Sequence, residues 1–205
     1  MALTEEQKTD LYKLGVGIYD AAIGTIYGVF LGGLLESGRS VDQLYESLSR
    51  EQSFVAQSPG FAAAATSTQF STAFVDHATG DTLSAQNRDW AIDFLAGLLD
   101  GGMSRGAVMH LAIDALDAVP HDNANFGNAA AQFDNKVEVA RYYTEGLGGS
   151  ALILEELRST IASVDETRAS VEAAKAALLA SAANAPVIET DIGLVGIQQS
   201  GVELV

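Results

Sequence analysis

The sequence contains no cysteine, so disulfides, thiolate metal sites and thiol nucleophiles are all excluded. It is also poor in basic residues. Eleven Lys and Arg stand against 27 Asp and Glu, a net charge of −16, which repels nucleic acid and anionic lipid. The opening residues "MALTEEQKTD" lack the basic stretch, apolar stretch and small-residue cleavage site of a secretory signal. On this reading the protein either stays inside the cell or leaves by a route encoded elsewhere in the chain.

Catalytic and metal motifs are missing as well. There is no HExxH, no DxDxDG loop, no GxSxG elbow and no phosphate-binding glycine loop after a strand. Three histidines occur. His77 follows Asp76 near the end of an expected helix, where an imidazole can satisfy terminal carbonyls. His110 lies on the side of a packed helix, and His121 sits with Asp122 and Asn123 in a polar loop. No catalytic or cofactor-binding residue is assigned, and the expectation is that the protein is not an enzyme. Metal ligands are left open, with Ca²⁺ admissible because carboxylates are abundant. The glycine- and aspartate-rich nonapeptide repeats of a Ca²⁺ spiral do not occur.

What the chain does have is apolar mass: 205 residues, 48% hydrophobic, enough for a full core. The run from Leu14 to Leu35 holds one charged residue, Asp20, and is long enough to be weighed as a membrane span. A second copy of its end argues against that. "FLGGLLESGRS" at 30–40 and "FLAGLLDGGMS" at 94–104 align at a constant offset of 64 residues. Arg88, Asp89 and Asp93 lead into the second copy and make it costly in lipid. The shared pattern reads as a corner between two helices. Gly38 and Gly102 suit the left-handed residue that stops one helix, and Ser40 and Ser104 suit the N-cap of the next.

The expected fold is therefore all-α. Two related helical units at about 9–60 and 68–120 precede closing helices at about 126–182, all within a domain spanning 1–183. Thr4 with Gln7 reads as a capping box opening the first helix. After each corner an apolar stripe follows, Val41, Leu44, Tyr45 and Leu48 in one, Val108, Leu111, Ile113 and Leu116 in the other. Leu157, Val164, Val171 and Leu178, seven apart, predict one long helix from about Ser150 to Ala182, packed on its own domain rather than in a coiled coil. Tyr27, Phe30, Phe74, Trp90 and Phe94 are expected in the core. From residue 184 to 205 the composition changes to β-branched residues and glycine without a basic residue, an extended or strand-forming tail.

The paired corners, the segment "FDNKVEVARYYTEGL" with Asn135, Lys136, Val137, Tyr142 and Tyr143, and "SVDETRASVEAAKAAL" together resemble the "domain of unknown function 4214" family of bacterial secreted proteins. The resemblance covers roughly residues 9 to 180. Turns of the family's "GR-PD" type are replaced here by "DAAIG" and "GDTLSA". It implies an exported, surface-layer-like or adhesin-like role and carries no catalytic residues. The end "GVELV", with Glu203 before Leu204 and Val205, resembles the uncleaved C-terminal signal of type I secretion substrates.

The expected role is a secreted structural or interaction protein of the cell surface or extracellular matrix, self-assembling as a homo-oligomer or polymer. One alternative is a monomeric module for a surface glycan or lipopolysaccharide, assisted by Ca²⁺. Another is an intracellular scaffold. Neither nucleic acid nor a membrane span is expected as a partner.

Overall fold

The structure, a computed structural model, describes residues 3–184. Segment 185–205, with Glu203, Leu204 and Val205, lies outside the described residues, as does the expected strand-forming tail. The described chain is all-α, and no strand occurs among the described residues.

Helix α1 (Glu5–Tyr19) starts at Thr4, whose hydroxyl accepts from Gln7 N–H while Gln7 Oε1 accepts from Thr4 N–H, closing a capping box. It stops at Asp20, which takes the left-handed conformation at φ 48°. Helix α2 (Gly24–Glu36) then leaves at 114° to α1, so the apolar run is two bent helices. No single described helix is long and apolar enough to cross a membrane. Asp20 is held by Lys136 at 2.7 Å, which fixes the bend to a later helix.

Helices α3 (Val41–Leu48) and α4 (Gln52–Val55) follow, then a short 3₁₀ turn at Pro59–Phe61. Next come α5 (Ser67–Thr79), α6 (Ala85–Asp100) and α7 (Arg105–Asp117). α5 and α6 pack along each other, whereas α1 and α2 diverge. At the α2–α3 corner Gly38 has φ 96°, its N–H bonds Leu35 O, and Arg39 N–H bonds Leu34 O. At the α6–α7 corner Gly102 has φ 95°, its N–H bonds Leu99 O, and Met103 N–H bonds Leu98 O. Both are Schellman stops, which need a residue without a Cβ at the left-handed position. The Ser40 hydroxyl accepts from Gln43 N–H and the Ser104 hydroxyl from Ala107 N–H, each starting its next helix.

α3 and α7 pack antiparallel. Glu46 backs onto Gly106, the Ser104 hydroxyl donates to Glu46 Oε2 at 2.6 Å, and Asp42 pairs with His110. Positions 42 and 106, and 46 and 110, are each 64 apart, so the two contacts exchange under that offset. Leu44 and Val108, also 64 apart, are both buried.

α8 (Gly127–Arg141), prolonged by a π-turn at Tyr142–Gly146, packs on α1, α7 and the last helix. The single long helix expected over 150–182 is instead two, α9 (Leu154–Ser159) and α10 (Arg168–Ala183). The break has a local cause. Asp165 Oδ1 accepts from the Thr167 N–H and hydroxyl, and the Thr167 hydroxyl accepts from Ser170 N–H. These short polar side chains satisfy a helix start and compete with helix continuation. Leu157, Ile161, Val164 and Val171 are all still buried, so the seven-residue spacing marks a core face that runs through the turn.

Candidate functional site

The aromatic residues expected in the core divide. Phe74 is buried, but Phe30 is 61% exposed, Trp90 58%, and Phe94 and Tyr27 are also exposed. The physical reason for Phe30 and Tyr27 is the divergence of α2. Only Gly24, Leu31, Gly32 and Leu35 of that helix are buried, leaving Val29, at 77%, and Phe30 uncovered. Leu111 of the second apolar stripe is likewise exposed.

These side chains rim two apolar clefts. The first, of about 580 Å³, lies between α1 and α2 and is walled by Leu14, Tyr19, Ile26, Phe30 and Leu31, with Leu48, Leu154 and Leu157 at its sides. Tyr19 Oη and Ser53 Oγ are 3.3 Å apart, and with Glu51 they supply its polar edge. The second, of about 220 Å³, lies between α5 and α6 and is walled by Ala78, Leu83, Trp90, Phe94 and Leu95, with Ala112 beside them. The walls correspond at the 64-residue offset, position by position: 14 with 78, 19 with 83, 26 with 90, 30 with 94, 31 with 95 and 48 with 112.

The clefts differ in which later segment lies beside them, Leu154 and Leu157 of α9 at the first and Phe126 at the second. In the second, Phe126 from the segment after α7 is a lining residue. Its ring meets Trp90 edge-on at 5.6 Å, and Trp90 stacks on Phe94 at 5.5 Å. In the first, the chain that follows α3 is used differently. Phe54 and Phe61 turn into the core and stack on each other at 4.2 Å.

The residues of the "NKV" and "YY" stretches act as ties to the α1–α2 bend and the last helices. The Asn135 amide donates to Asp165 O at 2.9 Å, holding the turn before α10. Lys136 bridges to Asp20. Tyr143 Oη accepts from Ala151 N–H, its ring lies against Gly149, and Gly149 O accepts from Thr25 N–H at the start of α2. Lys175 sits over the Tyr142 ring and pairs with Glu138. The Arg168 guanidinium and Lys175 hold the Glu138 carboxyl down to about 2.

The histidines are dispersed. His77 is in the last turn of α5, half-buried, with Nε2 lacking a hydrogen-bond partner, so it does not cap carbonyls through that atom; burial lowers its pKa. His110 stacks on Tyr45 and pairs with Asp42. His121 pairs with Asp134 at 2.7 Å rather than with Asp122 or Asn123, while the Asn123 side chain accepts from Asn125 and Phe126 N–H and shapes the loop that presents Phe126. Among the described residues no group of three or more His, Asp or Glu side chains is gathered to hold a metal ion. Gly38, Ser40, Gly102 and Ser104 form the helix corners and line neither cleft. Sequence spacing missed the clefts, although the repeated "FL-GLL" residues, Phe30 with Leu31 and Phe94 with Leu95, were their signal.

The chain matches no protein-family model, no curated protein and no solved structure.

Proposed function

We propose that the protein is a non-enzymatic, self-associating interaction protein built from two related three-helix units, α1–α3 and α5–α7. The observation that carries this reading is the uncovered apolar face of α2, where Val29, Phe30, Ile26 and Tyr27 are exposed. Leu152 and Ile153 extend it, since Tyr27 Oη donates to Leu152 O at 2.9 Å and both leucine and isoleucine are exposed. An apolar surface of this kind on a chain carrying −16 is stabilised by covering it with protein rather than with nucleic acid or anionic lipid.

The proposal includes export and a place at the cell surface or in the extracellular matrix, in the manner of the family the motifs resemble. It is supported by the acidic chain and by the absence of any basic residue after Lys175. Light scattering on the purified chain, with and without Ca²⁺, tests association; comparing culture supernatant with lysate, for the full chain and for one ending at Ser200, tests export.

A second reading, a module for surface glycans, is favoured by one feature. Trp90 is exposed beside Asn87, whose amide donates to Asn125 O at 3.0 Å, and an exposed indole with neighbouring amides suits a sugar face. Trp90 is the only tryptophan, so its fluorescence reads that site alone: quenching by added glycan supports the reading.

A further inference from the structure

The two clefts have corresponding walls but different edges. At the 64-residue offset Tyr19 corresponds to Leu83 and Glu51 to Ala115, and all four are lining residues. The second cleft forms without a hydroxyl or a carboxylate at these positions, so the fold does not require them in the first. In the first cleft the Tyr19 and Ser53 hydroxyls lie 3.3 Å apart, a long contact that leaves both with unused hydrogen-bonding capacity. Glu51 is exposed and immediately precedes α4, yet its side chain makes no cap bond to that helix. The adjacent Arg50 pairs with Glu46 instead.

Size and charge select the ligand. At about 580 Å³, against about 220 Å³ for the second, the first cleft falls within the roughly 300–1,000 Å³ of small-molecule pockets, which join apolar walls to a few placed polar groups. Among the described residues lining it, Glu51 is the only charged one and none is basic. Tyr19, Tyr27 and Phe30 bring aromatic rings to the same cleft, and ring faces attract cations. A carboxylate or phosphate head would meet Glu51 with no counter-charge in the walls, on a chain that carries −16. We propose that the first cleft binds a small cationic amphiphile, with its hydrocarbon body against the apolar walls and its ammonium head at Glu51, Tyr19 and Ser53. This goes beyond the self-association reading and does not rest on it: Val29, 77% exposed on the α2 face, does not line the cleft.

Isothermal titration calorimetry of the full chain with decylammonium, decanol and decanoate, each kept monomeric, tests the assignment. The expected result is one saturable decylammonium site, with decanol about threefold to thirtyfold weaker and decanoate weaker still. Glu51→Gln should weaken decylammonium about twofold to fivefold. Glu166→Gln, which removes the same charge from an exposed position lining neither cleft, should leave it unchanged. Ile26→Trp installs the residue that the second copy carries at position 90, where it is 58% exposed, and should remove the saturable site by filling the larger cleft. Decylammonium binding that does not saturate, persists undiminished in Ile26→Trp, or falls equally with Glu51→Gln and Glu166→Gln is diffuse attraction to an acidic chain and overturns the site. Decanol or decanoate binding as tightly as the amine overturns the assigned head. Light scattering of the same samples reads association separately, so either reading can fail without the other.

Discussion

Gly106→Ala is the substitution whose cost the geometry defines most sharply. A Cβ at Gly106 would lie 2.5 Å from the backbone nitrogen of Glu46 and closer still to its Cα, where no rotamer change can relieve it. α3 would have to retreat, yet Leu44 and Tyr45, which directly precede Glu46, are 1% exposed, so retreat opens the core. Overpacking of this kind costs about 1–3 kcal/mol. The helix gain on replacing glycine is at most about 1 kcal/mol, and less in a first turn. The net expectation is about 1–2 kcal/mol of destabilisation, or a Tm lower by roughly 2–8 °C for a chain of this size. Gly97→Ala is the control: it lies in the last turn of α6 with nothing within 4 Å of a new Cβ, and should raise stability by up to about 1 kcal/mol. Thermal and urea unfolding by circular dichroism measures both. A Gly106→Ala variant as stable as the parent would refute the close α3–α7 crossing, whatever Gly97→Ala does.

Three further predictions follow from the ties and buried groups. Glu138 is held at about 2 by Arg168 and Lys175 against an ordinary 4.5, so its contribution is present above pH 4.5 and lost as pH falls toward 2; the Glu138→Gln variant should lose less stability than the parent across that window in acid titrations. His77 is held neutral by burial, below its ordinary 6.5, so the fold loses stability as pH falls below 6.5, where the unfolded chain takes up the proton; His77→Leu should flatten urea midpoints measured between pH 7 and about pH 5. Breaking the partly buried Lys136–Asp20 bridge with Lys136→Met should cost about 1–2 kcal/mol, between exposed and buried pairs. A double-mutant cycle with Asp20→Asn showing no coupling would contradict the role given to that bridge.

The helical class was legible because its signals are local: a capping box such as Thr4 with Gln7 and apolar residues at helical spacing need only neighbours in sequence. Asp165, Thr167 and Ser170 carried an equally local signal for the break before α10, but the seven-residue spacing of Leu157, Val164 and Val171 masked it. Buried faces can continue through a turn, and periodicity alone does not reveal this. The exposure of Phe30 and Trp90 was not legible in principle. Whether an aromatic on an apolar helix is covered depends on where other helices go, which no local pattern encodes: Phe30 on the diverging α2 and Trp90 on α6, packed along α5, are both exposed. The ties made by Asn135, Lys136 and Tyr143 had a sequence signal in their motif, but their partners are 30, 116 and 8 residues away.

The central claim is that the uncovered face of α2 is an association surface. Light scattering across a concentration series of the full chain tests it most directly, compared with the Val29→Asp, Phe30→Asp double variant, whose changes fall on exposed positions. If the face associates, the parent mass lies well above the 21.4 kDa of one chain, and the variant stays folded at that single-chain mass. A parent that remains at 21.4 kDa at every concentration, with and without Ca²⁺, contradicts it.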